Sequence, residues 1–326
     1  MGIADLRDLA VIEEVSFATL DPGIVAVDFN NWIYRYLTVL VRYTDEAVYT
    51  TDDGTDVLNL LGIIKGVPKF FEHGLYPVFV MDGTVLDLKE AEMDRRRKRT
   101  EAAAAELEAA REAGDIERIR SLEAQAQRLT SIHLETSREL FHLLDVPVID
   151  APAEAEAQAA YLAREGMVQY VGSEDYDTLL FGAPVTLRNL TSSGEIERMD
   201  LDATLETHGI SRDQLIDIAI LCGTDYNDGV HGVGPKSALK AMQSGDSVEE
   251  VLERYEASIP NLAKIRDLFR SPTVDSTVSF EPHSDPDFDA IESYLIDQWD
   301  IPHSNIERAL ERTKTSMSAF EYPVSP

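Results

Sequence analysis

The sequence has a single cysteine, only eight lysines, and no uninterrupted run of 18 apolar residues. One cysteine, Cys222, cannot form an intramolecular disulfide, so a disulfide-stabilised secreted scaffold is excluded. The missing apolar run excludes a transmembrane helix. Acidic residues also stand in the first 14 positions, where a signal peptide would carry basic and then apolar ones. We therefore expect a cytoplasmic protein in a reducing compartment.

Basic residues of either kind are scarce. The 326 residues include 29 Lys and Arg against 60 Asp and Glu, which gives a formal net charge of −31. Such a surface repels polyanions, because affinity for a phosphate backbone comes from Lys and Arg side chains that displace counterions. The same balance is typical of cytosolic proteins of halophiles, in which molar salt screens the self-repulsion. A nucleic-acid binder from a halophile and a protein that avoids nucleic acids therefore both remain open.

Hydrophobic residues make up 44% of the chain, enough to bury the core of one large domain or two modest ones. Four short apolar runs, each with an acid at or soon after its end, begin at residues 24, 78, 146 and 168. Their length and β-branched content predict buried strands. Helical patterns lie between them, so the sequence predicts an α/β fold with a mainly parallel sheet. Sites of such sheets lie beyond the carboxyl ends of the strands, where acids from separate segments are expected to gather.

Seven acids stand out by their position. They are Asp28, Asp82, Glu154, Glu156, Asp175, Asp177 and Asp225. Spacing alone does not prove that they converge, and any one of them taken alone is better explained as a helix cap or a solvated side chain than as a metal ligand. If they meet, their mutual repulsion requires cations. Carboxylates without His or Cys favour Mg²⁺ or Mn²⁺ over zinc, and two such cations about 3.5–4 Å apart are the arrangement for phosphodiester hydrolysis.

A long, charged and alanine-rich helical region extends from residue 88 to about residue 144. Its first half has almost no apolar stripe, which is typical of a helix that bridges solvent. It holds the only dense basic run of the chain, at residues 95–99. Lys89 and Arg96 lie on nearly the same helical face, from which both side chains can converge on one phosphate. An exposed helical hairpin with a solvated basic face is the alternative.

A glycine-rich segment at residues 229–236 has the spacing of a helix-hairpin-helix. In this motif glycines let the backbone approach closely, and the N–H groups that begin the second helix face a phosphate. Pro235 suits the first turn of that helix. The segment matches neither the P-loop nor the dinucleotide-binding fingerprint, so it indicates no ATP or NAD site.

These segments together resemble the flap endonuclease family of archaea and eukaryotes, within the XPG-like 5′-nuclease superfamily. The matching stretches follow the family's order, at residues 1–3, 25–28, 77–83, 151–161, 173–184, 223–227 and 232–236. The resemblance implies a PIN-like, mainly parallel twisted sheet flanked by helices, with a helical arch and a helix-hairpin-helix. It also implies a structure-specific 5′ flap endonuclease and 5′–3′ exonuclease that acts in DNA replication and repair.

By this resemblance the seven acids hold two Mg²⁺ ions, directly or through water, and Mn²⁺ can substitute. Lys89 and Arg96 fall on the basic pair of the arch that contacts the scissile phosphate. Further DNA contacts are expected at Gly2, Tyr34, Arg95, Arg99, Gly232, Gly234 and Lys236, and K⁺ is expected at the hairpin. Tyr34 would stack near a terminal base, with a buried core position as the alternative. The implied substrate is branched DNA with a 5′ flap, and the implied oligomeric state is a monomer.

The resemblance divides the chain into one catalytic domain, 1–312, and a tail, 313–326. Within the domain we expect an N-terminal region at 1–100, the arch at about 84–135, and an internal region at 136–260 with the hairpin at about 221–242. The tail is expected to be unstructured and to carry a degenerate binding box for the sliding clamp (PCNA). Met317 and Phe320 keep two anchors of this box, whereas Lys314 replaces its glutamine and Glu321 interrupts its aromatic pair.

Two departures from the family pattern affect the expected DNA contacts. Residues 65–68, Lys-Gly-Val-Pro, stand where relatives carry an aromatic and an arginine, and Arg42 comes one residue late. Two other functions also stay open: a paralogous nuclease acting on other branched DNA or RNA, and a DNA-binding scaffold without activity. The scaffold would be expected to have lost metal ligands, and all seven acids are present.

Overall fold

A computed structural model describes residues 4–84, 129–192 and 194–321, with isolated positions at 97, 98, 101, 102, 106, 107, 110, 118 and 122. Two compact units are present, each assembled from separate stretches of the chain. The first unit comprises Met1–Thr19, Asp82–Glu92 and Asp150–Thr277, and the second comprises Leu20–Met81, Met93–Ile149 and Val278–Pro326. The single domain 1–312 and its inner boundaries stay a prediction.

The strands of the described residues are β1 Val11–Val15, β2 Gly23–Asp28, β3 Leu75–Met81, β4 Val148–Asp150, β5 Tyr170–Gly172, β6 Val185–Arg188 and β7 Ile196–Asp200. In the first unit the strand order is β1-β7-β6-β5, with β5 parallel to β6 and β7 antiparallel to both of its neighbours. In the second unit the order is β2-β3-β4, and β2 runs parallel to β3 with Asp28 opposite Val80. Every residue of β2 and β3 is buried, as expected for parallel strands covered on both faces.

The helices of the described residues are α1 Phe29–Tyr43, α2 Glu46–Tyr49, α3 Leu58–Glu72, α4 Ser131–Leu143, α5 Ala155–Arg164, α6 Asp177–Phe181, α7 Leu201–His208, α8 Arg212–Cys222, α9 Pro235–Gln243, α10 Val248–Arg254, α11 Leu262–Arg270, α12 Phe288–Ser293 and α13 His303–Ser318. A 3₁₀ turn spans Ala4–Asp8. None of these helices combines the length and the apolar character needed to cross a lipid bilayer. The predicted α/β fold with a mainly parallel sheet is confirmed.

Helices α1 and α3 of the second unit pack closely at two glycines of α3. A Cβ atom on Gly66 would lie 2.6 Å from the Trp32 ring and 2.7 Å from the Tyr36 ring, and one on Gly62 would lie 2.8 Å from the Ile33 side chain. A larger residue at either position would push the helices apart. The segment at residues 65–68 that departs from the family pattern therefore serves the packing of α1 on α3.

The predicted helix-hairpin-helix is formed by α8, a glycine-rich turn and α9. Gly229 has a φ of +72°, and a Cβ there would lie 2.5 Å from the Cys222 carbonyl carbon. The Val230 N–H donates to the Leu221 carbonyl over 2.8 Å, which closes the turn onto the end of α8. Pro235 occupies the first turn of α9. Only glycine fits at position 229, because both the space and the backbone conformation exclude a side chain.

The predicted arch lies mostly outside the described residues. All the positions described between 97 and 122 are helical. Ala110 and Leu122 are buried, and Leu107 packs against them. Arg118 forms an ion pair with Glu106. These three apolar side chains, of the few positions described in this region, therefore pack on one another. The arch itself stays a prediction.

The unstructured tail expected from residue 313 is wrong for residues 313–318, which belong to α13. Thr313, Ser316 and Met317 are buried, and α13 packs along α3 in the second unit. The Phe320 ring packs edge-on against the Phe71 ring at a centroid distance of 5.0 Å. It also contacts the Tyr76 ring in a tilted arrangement at 6.3 Å. The helix continues because Thr313 and Met317, four residues apart, extend one buried face toward α3.

Candidate active site

Three carboxylates of the first unit come together at the end of β3 and the start of α5. One oxygen each from Asp82, Glu154 and Glu156 lies within 4.8 Å of the other two. Asp82 directly follows β3, Glu154 is the N-cap residue of α5, and Glu156 lies in the first turn of that helix. Three oxygens at this spacing can bind one cation together.

Two backbone hydrogen bonds join the segment after β3 to the start of α5. The Gly83 N–H donates to the Ala153 carbonyl over 2.8 Å, and the Ala155 N–H donates to Asp82 Oδ1 over 2.8 Å. Glu154 makes no side-chain cap for its own helix, so Asp82 takes this role from a distant segment. The positive end of the helix dipole stabilises the Asp82 carboxylate in return.

Gly83 permits this contact because it has no side chain. A Cβ atom there would lie 1.9 Å from the Ala151 carbonyl oxygen and 2.7 Å from the Pro152 carbonyl carbon. Both are backbone atoms, so any other residue would displace the segment that leads into α5. Sequence analysis assigned Gly83 no role, although its place directly after an acid was a usable signal.

Tyr226 shows that two further acids face the same cluster. The residue is buried, and burial raises the pKa of its phenol far above the ordinary value. The nearby carboxylates of Glu154, Asp177, Glu156 and Asp225 raise this pKa further. Four carboxylates therefore act electrostatically on one buried hydroxyl. Sequence analysis did not assign Tyr226 to the site, because the motif around it gives no sign of which side chains lie near its hydroxyl.

Asp175 and Asp177 lie in the turn that follows β5. The Asp175 N–H donates to Ser173 Oγ over 3.2 Å, and the Asp177 N–H donates to Asp175 Oδ1 over 3.3 Å. The Thr178 hydroxyl donates to the Asp175 carbonyl over 3.1 Å. These bonds fix a turn that begins α6 and brings Asp177 into the cluster around Tyr226.

Asp225 is held by a compact turn at the end of α8. Thr224 and Asn227 pair through their backbones, and the Thr224 hydroxyl donates to Asn227 Oδ1 over 2.8 Å. Asn227 Nδ2 donates to the Ile220 carbonyl over 2.8 Å, which ties the turn to α8. The carboxylate of Asp225 is thus positioned by its neighbours on both sides.

Asp28 belongs to the second unit. It is the last residue of β2, is 3% exposed, and caps α1 by accepting a hydrogen bond from the Asn31 N–H over 3.0 Å. Its grouping with the other six acids stays a prediction. Tyr34, one helical turn and a half further along α1, is 39% exposed. The structure therefore contradicts the alternative that Tyr34 is a buried core residue.

The predicted DNA contacts fall partly on the hairpin. Gly232 has a φ of +84°, and Gly234 is the N-cap residue of α9. The Gly234 N–H donates to Ser237 Oγ over 3.0 Å, and Lys236 is exposed in the first turn. The other predicted contact residues lie outside the described residues: Gly2, Lys89, Arg95, Arg96 and Arg99.

The donor atoms of the cluster fit a hard divalent cation. Asp82, Glu154 and Glu156 offer only carboxylate oxygens, which Mg²⁺ and Mn²⁺ prefer as ligands. Asp177 and Asp225 are both 5% exposed and lie near the same tyrosine hydroxyl. Buried like charges at this density are costly without a counter-charge, and a bound cation supplies it.

Comparison with known proteins gives matches over the whole chain. Family models match at residues 1–103, the XPG N-terminal domain, and at residues 145–225, the XPG I-region. The chain is 49% identical to flap endonuclease 1 of Haloarcula marismortui over 97% of both chains. It is 50% identical to flap endonuclease 1 of Halobacterium salinarum over 96% of both chains.

Solved structures show the same similarity. Flap endonuclease-1 from Methanococcus jannaschii superposes with a TM-score of 0.74 at 30% sequence identity, over 96% of this chain and 98% of that one. The catalytic core of Rad2 in complex with DNA substrate superposes with a TM-score of 0.70 at 25% identity, over 96% of this chain and 100% of that one.

Proposed function

The chain belongs to the flap endonuclease family, and we propose that it removes 5′ flaps from branched DNA with Mg²⁺ held by the acids of its first unit. Its action as a structure-specific nuclease on DNA phosphodiester bonds follows from this membership. We further propose that it binds two Mg²⁺ ions, which Mn²⁺ can replace. Its proposed role is lagging-strand maturation and repair in the cytoplasm. The enzyme works as a monomer in this proposal.

One observation carries the proposal: the oxygens of Asp82, Glu154 and Glu156 lie within 4.8 Å of one another. When bound, divalent cations at such a site lower the pKa of a water nucleophile and neutralise charge on the leaving oxygen. The chain's own residues hold and orient that site. Ala155 fixes the Asp82 carboxylate through its N–H. In the proposal Asp175, Asp177 and Asp225 of the first unit complete the ligand set.

The proposed DNA contacts lie at three places. Tyr34 is exposed on α1 and stacks near the terminal base of the substrate. Gly232 offers its backbone N–H and Lys236 its ammonium to the phosphates of the downstream duplex, Gly234 lets the backbone approach closely, and K⁺ binds at the hairpin. Lys89 and Arg96 neutralise charge on the scissile phosphate. Because these contacts address phosphates and shape, cleavage depends on the junction rather than on base sequence.

The net charge of −31 is compatible with a DNA substrate in molar salt. At about 1 M salt the screening length is about 3 Å, so the acidic surface repels DNA only at very short range. Counterion release contributes little to affinity under these conditions. Binding then depends on shape, stacking and metal, and activity is expected to persist in molar KCl.

The experiment is cleavage of a 5′-labelled double-flap DNA in molar KCl with Mg²⁺, by the wild type and by Asp175→Ala. A matched control is Asp202→Ala, which removes an exposed acid of α7 in the same unit. We expect a discrete product from the wild type and from the control. The product should be absent with Asp175→Ala and with EDTA.

Other substrates separate the alternatives. Bubble, blunt and RNA-containing substrates run beside the flap would identify a paralogous specificity if one of them were cut faster. DNA binding without any cleavage in Mg²⁺ or Mn²⁺ would contradict the proposal. Activity that peaks at low salt and disappears in molar KCl would contradict the explanation of the net charge.

The sliding clamp does not form part of the proposal. Met317 is 3% exposed, and Phe320 is engaged with Phe71 and Tyr76 of the second unit. The two side chains expected as clamp anchors therefore serve the fold. Equal clamp binding by the wild type and by Phe320→Ala would agree with this.

A further inference from the structure

A charged network in the first unit connects the start of the chain to the turn that carries Asp175 and Asp177. Arg7, in the 3₁₀ turn before β1, donates to Glu197 Oε1 over 2.6 Å and to the Tyr176 hydroxyl over 2.8 Å. Arg188, the last residue of β6, donates to the same hydroxyl and to Glu197 Oε2, each over 2.5 Å. Four side chains from four segments therefore form one network, in which both arginines contact the Tyr176 hydroxyl.

The network lies directly behind two proposed metal ligands, because Tyr176 is the residue between Asp175 and Asp177. The last residue of β6 and the residue after it also hold this turn, through hydrogen bonds to Glu174. Arg188 Nε donates to the Glu174 carbonyl over 3.2 Å, and the N–H of Asn189 donates to Glu174 Oε1 over 2.7 Å. The Arg188 guanidinium also lies 4.1 Å from the centre of the Tyr176 ring.

Burial makes this network sensitive to the loss of one member. Arg188 and Glu197 are each 8% exposed, and Tyr176 is 7% exposed. A buried guanidinium that loses a hydrogen-bond acceptor keeps its desolvation cost without compensation. The turn would then shift to satisfy Arg188, and the carboxylates on both sides of Tyr176 would move with it.

The two arginines of the network share one carboxylate. Arg7 donates to Glu197 Oε1 and Arg188 donates to Glu197 Oε2, so both oxygens of Glu197 are paired. Arg7 is the exposed member of the network, and its side chain is 53% exposed. It supplies one of the two positive charges from a segment 190 residues away from Glu197 in the chain.

We infer that Arg7, Tyr176, Arg188 and Glu197 form a support that sets the position of Asp175 and Asp177, with Arg7 as a positioning residue for metal binding. This inference rests on the proposed function, in which those aspartates hold Mg²⁺. Residues that orient metal ligands in this way typically change metal affinity or activity by about 10- to 100-fold when they are replaced.

The test uses the full chain and Mn²⁺ alone as the probe. Tyr176→Phe removes the hydroxyl and keeps the ring that packs under Arg188, Arg7→Met removes the charge, and Arg7→Lys keeps it. Mn²⁺ binding to the metal-free protein is measured from the electron paramagnetic resonance signal of free Mn²⁺ in molar KCl. We expect about 10-fold weaker binding for Tyr176→Phe and Arg7→Met, and partial recovery with Arg7→Lys.

A matched control separates positioning from stability. Arg266→Met breaks a half-buried ion-pair group of the first unit, in which Arg266 donates to Asp217 over 2.6 Å and to Glu249 over 2.9 Å. It should lower the melting temperature and leave the Mn²⁺ dissociation constant unchanged. The flap-cleavage assay adds a second readout, in which Tyr176→Phe should raise the Mg²⁺ concentration needed for half-maximal rate and leave KM for DNA unchanged.

One outcome would contradict this inference alone, and another would contradict the proposed function. If the wild type binds Mn²⁺ and cleaves flaps, and Tyr176→Phe and Arg7→Met bind Mn²⁺ within twofold of the wild type, the inference is wrong and the proposed function stands. If the wild type itself neither binds Mn²⁺ nor cleaves any flap, the proposed function fails, and the support has no metal site to position.

Discussion

The Ala155 N–H donates a hydrogen bond to Asp82 Oδ1 over 2.8 Å, so one carboxylate both faces the acid cluster and caps a helix. We predict that these two roles can be separated. Asp82→Asn keeps an acceptor oxygen and should fold with wild-type stability, whereas Asp82→Ala should lose about 1 kcal/mol of unfolding free energy. Both should lower the flap-cleavage rate by about 100-fold or more, because each removes a metal ligand.

A second acid offers the control, because Asp200 is the N-cap residue of α7 and its Oδ1 accepts from the Ala203 N–H over 2.9 Å. Asp200→Ala should lose similar stability and retain cleavage. Urea unfolding in molar KCl and single-turnover cleavage measure the two effects. Full activity of Asp82→Asn would show that the Asp82 charge is not needed at the site.

Gly83 should tolerate no side chain. Gly83→Ala places a Cβ 1.9 Å from the Ala151 carbonyl oxygen, so the segment before α5 must move and carry Glu154 and Glu156 away from Asp82. We expect a loss of about 2 kcal/mol or more in unfolding free energy and weaker Mn²⁺ binding. The control is Gly194→Ala, whose Cβ would meet only Ser192 Oγ at 3.8 Å and should change neither quantity. Unchanged Mn²⁺ binding by Gly83→Ala would show that the site does not depend on this contact.

Part of the site follows from sequence because acids after apolar strands gather at one edge of a parallel sheet. Asp82 illustrates this: it comes directly after β3. Its bond to Ala155 does not follow, since the two residues are 73 positions apart and no local pattern marks the pair. The same applies to Arg7 and Glu197, which are 190 positions apart. Sequence spacing predicts which face a residue lies on, and it does not predict long-range polar partners.

The end of the chain shows the converse error. A polar stretch with remnants of a binding box predicted a free tail, and α13 instead continues through Ser318. Two of its buried residues, Thr313 and Ser316, are polar, so a hydrophobic pattern does not mark the packed face. The Thr313 hydroxyl donates to the Ala309 carbonyl over 2.8 Å, which satisfies it inside the helix. Small hydroxyl side chains satisfied in this way can be buried at low cost.

Phe320 should therefore contribute to stability. Phe320→Ala removes ring contacts with Phe71 and Tyr76 and should lower the unfolding free energy by about 1–2 kcal/mol, since the ring is only partly buried. Ser318→Ala, at an exposed position of the same helix end, is the control and should have no effect. Denaturant unfolding in molar KCl measures both variants. A Phe320→Ala protein as stable as the control would show that these ring contacts do not stabilise the fold.

Lys69 should make stability depend on pH. Burial, followed by the charge of Arg312, lowers the pKa of its ammonium to about 8 from 10.5, while Glu72 opposes the shift. The folded state therefore binds fewer protons than the unfolded state between these values, and the unfolding free energy should rise as pH increases from 7 to 9.5. Lys69→Met should flatten this rise, while Lys264→Met, at an exposed position of α11, should keep it. Equal pH slopes for the wild type and Lys69→Met in urea unfolding would contradict the assignment to Lys69.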